Sequence, residues 1–246
     1  MKTLARLLVI SCLFTFTALA DDDKEHHHHE DLNEAQLGTV HFATSCAASV
    51  QKPFERGVAL LHSFWYEEAE KEFLQIAKDD PHCAMAHWGV AMSLWHQLWN
   101  EPDAKVIARG LDEARTAKKL AQKATARENQ YIDAVTTFYS DSEKSDHAAR
   151  AKAYCDAMRV TFRSNFDDHE AAVFYALSLL ASEPRDDATF VNRKEAAALL
   201  ESLFNLEPDH PGVAHYLIHA CDKPQMAKFG LAAARRYAQI LSLIHI

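Results

Sequence analysis

Residues 54–96 read FERGVALLHSFWYEEAEKEFLQIAKDDPHCAMAHWGVAMSLWH, and this stretch decides the fold. Phe54, Val58, Leu61 and Trp65 fall at i, i+4, i+7 and i+11, which is one face of an α-helix. Gly57, Leu60 and Phe64 widen that stripe. After a break near Tyr66, Ala69, Phe73 and Ile76 repeat the pattern, while Glu67, Glu68, Glu70, Lys71, Glu72 and Gln75 supply a solvated face. Asp79, Asp80 and Pro81 stop this second helix, because proline lacks an N–H and disfavours helix in the residue before it. The spacing predicts helices at about 54–66 and 67–79. The apolar run at 83–98 then opens a second unit and is to be buried on more than one side.

A displacement of 34 residues lays Phe54 on Trp88, Gly57 on Ala91, Val58 on Met92, Leu61 on Trp95 and His62 on His96. The closing pattern returns at Ala196, Leu200 and Pro208, and Ala214-His215-Tyr216 echoes Ala86-His87-Trp88. This period and layout resemble the tetratricopeptide repeat, through Gly57, Ala69, Phe73 and Pro81. The strings around Cys46, Phe54–Tyr66, Pro81–Gly89 and Asp209–His219 together resemble a group of uncharacterised, exported bacterial tetratricopeptide-repeat (TPR) proteins, over about residues 40–240. The resemblance implies an all-α, right-handed solenoid of helical hairpins that continues past the end of this chain. It also implies a concave groove, lined by the first helix of each unit, that holds a protein or peptide partner. On that implication His62, Trp88, Met92, Trp95 and His96 are the partner-binding candidates. A generic amphipathic bundle, with Trp88 and Trp95 as plain core, is the competing expectation. Residues 100–165 fit the period poorly, and degenerate or lengthened repeats are expected there.

Composition agrees with helices joined by short turns. Apolar residues make up 48% of the 246, enough for a substantial core, and there are only six glycines and seven prolines. A net charge of −9 argues against nonspecific binding to nucleic acid. The first twenty residues have the form of a cleaved signal peptide: Lys2 and Arg6, an apolar run from Leu7 to Phe16, then Ala18-Leu19-Ala20 before Asp21. A lipoprotein signal ending at Cys12 is the rival reading, weakened by the shortness of the apolar run before it. The mature protein is therefore expected in the periplasm or secreted. No later apolar run is long enough to span a bilayer. Residues 21–40 are acidic and His-rich and are expected to be a disordered leader. His26 to His29 can bind Zn²⁺, Ni²⁺ or Cu²⁺ loosely, or can be no more than a polar leader or a tag.

Further helices are expected at about 100–123, 125–139, 146–164, 168–182, 191–206, 211–220 and 224–240. Asn100 is the expected cap of the first of these, Thr125 and Glu128 form a capping box, and Asp167 with Glu170 opens the fourth. The last six residues, Leu241 to Ile246, carry no cap or polar tail. They are also the in-frame translation of CTGTCTCTTATACACATC, a transposon end used in sequencing adapters. Residues 241–246 are therefore expected to be adapter read-through and the chain to be truncated at its C-terminus.

Four cysteines remain after the signal: Cys46, Cys83, Cys155 and Cys221. Residues before the first helix of a hairpin and after the second lie at one end, which brings Cys46 to Cys83 and predicts a disulfide. Cys155 falls mid-helix, as a buried thiol does. His215 and His219 stand at i and i+4, so both rings can reach one metal ion, with His210 just before the helix. No glutamate makes this an HExxH motif, and hydrogen bonding between packed helices is the structural alternative. The sequence holds no phosphate loop, nucleophile elbow or convincing Ser/His/Asp set. Two functions follow as expectations. The first is a noncatalytic scaffold with no cofactor, binding protein or peptide. The second is a metal-binding or metal-dependent protein using Zn or another divalent transition metal near residues 210–219.

Overall fold

The computed structural model describes residues 37–184 and 187–240. The stretch expected to be a signal peptide, most of the expected leader, His26 to His29 and residues 241–246 lie outside the described residues. Among the described residues there are ten α-helices and no strand: α1 Gln51–His62, α2 Tyr66–Asp79, α3 Ala84–Ser93, α4 Ala104–Leu120, α5 Ala126–Tyr139, α6 His147–Ser164, α7 His169–Ala181, α8 Val191–Phe204, α9 Pro211–Ala220 and α10 Leu231–Ile240. Each helix packs against the next along the chain, as short connections require.

The helix ends follow local chemistry. Thr125 and Glu128 form the expected capping box at α5. Pro211 takes the first turn of α9, where its missing N–H costs nothing. Several expected boundaries are corrected: the first helix ends at His62 rather than near 66, leaving Trp65 outside it, and the last begins at Leu231 rather than 224. Asp103, not Asn100, caps α4, its carboxylate accepting from Val106 N at 2.8 Å. Asp168, not Asp167, stands before α7, and its carboxylate goes instead to Arg127 at 2.9 Å and Tyr131 at 2.8 Å. The third helix ends at Ser93 rather than 98. Ser93 Oγ donates back to Gly89 O at 2.9 Å, a bond that competes with helix continuation, and the chain turns through His96–Trp99.

Odd and even helices play different parts. α2, α4, α8 and α10 expose much of their surface, whereas α3 and α7 are buried nearly all round. The odd helices touch one another: α1 meets α3, α3 meets α5, Tyr131 of α5 bonds Asp168 at the start of α7, and α7 meets α9. α9 then returns to pack on α1. The space between them is filled by aromatics at matching places on successive odd helices. Trp88 packs edge-on to Tyr131 and to Phe174, at 5.7 and 5.5 Å between ring centres, and lies 6.2 Å from Phe54. Trp95 stacks on Phe138 at 3.5 Å.

That closure changes the expected architecture. Four of the five groove candidates, His62, Trp88, Met92 and Trp95, are 0 or 1% exposed. They form the core: Trp88 is covered by Phe42, Tyr131 and Phe174, Met92 and Trp95 by Tyr154 of α6 with Phe138 of α5 also on Trp95, and His62 by Tyr216 of α9 and by His210. His96 stays half-buried, stacked on Tyr66 at 4.2 Å.

The disulfide joins Cys46 to Cys83 with Cα atoms 4.8 Å apart. Asp80 accepts from Ala47 N across the same junction at 2.8 Å. The capping-box glutamate also serves this corner: Glu128 Oε1 accepts from Ser45 N and Ser45 Oγ at 2.8 and 3.0 Å. Cys155 and Cys221 are free and buried. Residues 37–40, which composition assigned to the leader, are packed. Leu37 and Val40 are buried, and Thr39 N donates to Asp209 O at 3.0 Å. Gly38 turns the segment at φ 78°, and a Cβ there would stand 2.4 Å from Asp209 O.

Candidate functional site

The meeting of α1, α7 and α9 is polar. Glu170 stands in the first turn of α7 and is 2% exposed. Its two oxygens take one ring each: Oε2 lies 2.8 Å from His62 Nε2 and Oε1 lies 2.8 Å from His210 Nε2. The far nitrogens fix the tautomers. His210 Nδ1 accepts from Val213 N at 3.2 Å, so its proton is on Nε2, which donates to Glu170. Tyr216 Oη lies 3.0 Å from His62 Nδ1, and burial first of all holds that phenol well above its usual range, so it donates. Burial keeps His62 neutral, outweighing the pull of Glu170. Burial also acts to raise the pKa of Glu170, but His210 and His62 more than reverse this, and the carboxylate stays ionised well below its ordinary range. Every polar atom of this cluster has a partner, so it clamps α9 to α1.

The three sequence-derived metal candidates therefore separate. His210 belongs to the Glu170 clamp. His215 and His219 form a pair of their own, with Nε2 atoms 3.1 Å apart. His215 Nδ1 lies 2.8 Å from the backbone carbonyl of His62. Aromatic rings surround the pair: Phe64 at 4.4 Å and Tyr237 at 4.6 Å from His215, and Trp99 at 5.7 Å from His219. Phe64 reaches this place through a left-handed backbone, φ 62°, which costs a non-glycine residue free energy and is held by the surrounding rings. Burial lowers the pKa of His219, against the opposing effect of Asp222.

His219 also lines a cleft of about 450 Å³, within the range of small-ligand sites. The segments leaving α3, α7 and α9 wall it, through Gln97, Trp99, Glu183, Asp222 and Lys223 among others, and α8 adds Arg193. Helix C-termini carry partial negative charge. Glu183, Asp187 and Asp222 add carboxylates. Arg193 is already committed, with Nε 2.8 and 2.7 Å from the Glu183 oxygens and a further bond to His219 O. Gln97 is 6% exposed, and its side-chain carbonyl has no hydrogen-bond partner. Trp99 stands at the rim, 62% exposed. Neither Gln97 nor Trp99 follows from helical periodicity. The readable signal is the tryptophan just past the end of an apolar helix, where packing no longer explains it.

Comparison with family models, with curated proteins and with solved structures finds no match, so the reading of this site rests on its own geometry. Fold and site together define, over the described residues, an all-helical protein with a filled centre, a polar clamp closing α9 on α1, and a cleft walled by the segments that follow α3, α7 and α9. No described helix is long and apolar enough to cross a membrane.

Proposed function

We propose that the chain is an exported, noncatalytic binding module, a TPR-like scaffold that receives a cationic side chain of a peptide or protein partner in the cleft at the ends of α3, α7 and α9. One observation carries the reading. The cleft sets an exposed Trp99 at its rim and a buried, unpartnered Gln97 carbonyl in its wall beside the Asp222 carboxylate, with Arg193 and Glu183 paired to each other and Lys223 as the remaining cation. A lysine or arginine satisfies both parts: its stem and charge lie well on an indole, and its N–H groups meet carbonyls and carboxylates. Export is supported by the form of the first twenty residues and by the Cys46–Cys83 disulfide, a bond that persists in oxidising compartments. The partner surface in this reading lies at the helix ends, since the inner-face residues are core.

The test uses pentapeptides with blocked ends and one varied central position, titrated against the protein by tryptophan fluorescence. Lysine- or arginine-centred peptides are expected to bind saturably and norleucine-centred ones to bind at least tenfold more weakly. Trp99→Ala should weaken the cationic peptides alone. Equal binding of glutamate- and lysine-centred peptides would defeat the proposal.

A further inference from the structure

His215 and His219 present their Nε2 atoms to each other at 3.1 Å. Two imidazole nitrogens bonded to one Zn²⁺ at about 2.05 Å are about 2.9 Å apart across a right angle and about 3.3 Å apart across a tetrahedral one. The observed separation falls between the two. The rings are also oriented from behind. The carbonyl of His62 can only accept, so His215 Nδ1 carries the proton and Nε2 keeps its lone pair. A metal-binding histidine is held in this way, its far N–H fixed by a backbone carbonyl. Without an ion, His219 Nε2–H donates to that lone pair. Moving the His219 proton to Nδ1 frees the second nitrogen with no change of charge. Phe64 and Tyr237 pack against the first ring, and Trp99 meets the second, so neither has room to swing away.

We propose that His215 and His219 together hold a divalent transition-metal ion beside the cleft, its remaining positions taken by water or by a donor of the bound partner. Two neutral nitrogen donors select Zn²⁺, Cu²⁺ or Ni²⁺ over the oxygen-seeking Mg²⁺ and Ca²⁺. The Asp222 carboxylate lines the cleft with His219, where Arg193 is paired to Glu183 and Lys223 is the remaining cation. With two protein ligands the site is weaker than a four-ligand structural zinc site and remains open to exchange.

The other grouping of metal-ligating residues, His62, Glu170 and His210, has donor atoms within 4.8 Å of one another but does not suit an ion. His210 Nδ1 is committed to Val213 N–H, which leaves the proton on Nε2, the nitrogen facing Glu170. Cys46, Asp80 and Cys83 form the third grouping, and there the sulfurs are joined to each other.

The inference goes beyond the peptide reading and does not require it. Its test is a calorimetric titration with Zn²⁺ of the full mature chain carrying asparagine at positions 26–29, which removes competing binding by the histidine run. One ion per chain is expected, with affinity reduced at least tenfold in His219→Gln and in His215→Gln. His87→Gln should leave it unchanged. Cu²⁺ added to the same protein should show two coupled nitrogens by electron paramagnetic resonance, a readout that stands even if one variant folds poorly. No ion bound, or one bound equally by both variants, would overturn the proposal. Peptide binding that survives loss of zinc, or zinc binding that survives Trp99→Ala while peptide binding fails, separates this site from the cleft.

Discussion

Phe73 of α2 is held between two glycines, and replacing one of them tests the packing directly. The ring is fully buried. A Cβ on Gly57 of α1 would stand 2.9 Å from its Cε1 and Cζ, and a Cβ on Gly89 of α3 would stand 2.4 Å from its Cγ and Cδ1. Ordinary contact begins near 3.4 Å. Gly89→Ala therefore requires the ring to retreat by about an ångström, toward the Gly57 backbone that already touches its other edge. Overpacking of this kind costs roughly 1–3 kcal/mol. Alanine recovers about 1 kcal/mol of helix propensity over glycine, so the smaller Gly57 clash is close to offset and the Gly89 clash is not. Urea unfolding followed by circular dichroism should show Gly89→Ala destabilised by about 1–2 kcal/mol and Gly57→Ala within about 1 kcal/mol of the parent. Phe73→Leu should recover part of the Gly89→Ala loss, because the two side chains compete for one space. A Gly89→Ala protein more stable than the parent would mean that the three helices do not meet on this ring.

Other consequences are equally open to measurement. The Cys46–Cys83 bond closes a separation of 37 residues, worth about 4 kcal/mol in the chain-entropy model. Cys46→Ser/Cys83→Ser should lose 2–4 kcal/mol by denaturant titration, about the range seen on removal of native disulfides, and a loss under about 1 kcal/mol would show that Asp80 and Glu128 hold the corner unaided. Glu170→Ala leaves two buried imidazole N–H donors without an acceptor and should cost about 3–5 kcal/mol, against a near-neutral result if the clamp does not form. Acid should act in two steps. His62, and with it His96 and His219, has a folded pKa below the unfolded value of 6.5, so an unfolded chain takes up protons that the folded one refuses. Stability should therefore begin to fall as pH drops below 6.5. The contribution of Glu170 is present above its unfolded value of 4.5 and is lost at still lower pH, as its depressed folded pKa is approached. Melting temperatures that stay level from pH 7 to pH 5 would contradict the neutral, buried His62.

Much of the fold was legible because local chemistry and packing agree along α1 and α2. The stripe Phe54, Val58, Leu61 is buried as its period requires, and Gly57 lies at a close helix contact. The disulfide followed from hairpin geometry. Legibility failed where distant groups intervene. Asp168 looks like one more capping carboxylate until Arg127 and Tyr131 claim it. His62 and His96 are equivalent by the 34-residue shift, yet one is sealed inside by α9 and the other is not. The groove residues were right in type for either a surface or a core, and the packing of α5, α6 and α7 on α3 and of α9 on α1 decides between them. Glu170 gave one overlooked signal, a lone acid within HEAAVFYALSLLA, where burial of nearly every neighbour demands that it be partnered. His215 and His219 were visible from spacing alone. Their separation from His210 was not, because it depends on which elements the first turn of α9 meets.

The central claim is that the inner face is closed core and that recognition takes place at the ends of α3, α7 and α9. The chain has four tryptophans, which makes the claim directly measurable by ¹⁹F nuclear magnetic resonance of 5-fluorotryptophan-labelled protein. A soluble paramagnetic probe should broaden the Trp99 resonance and leave Trp88 and Trp95 sharp, and the lysine-centred peptide should shift Trp99 alone among these three. Broadening of Trp88 or Trp95, or a peptide-induced shift at either with Trp99 unmoved, would mean that an open inner groove binds the partner and would contradict the account.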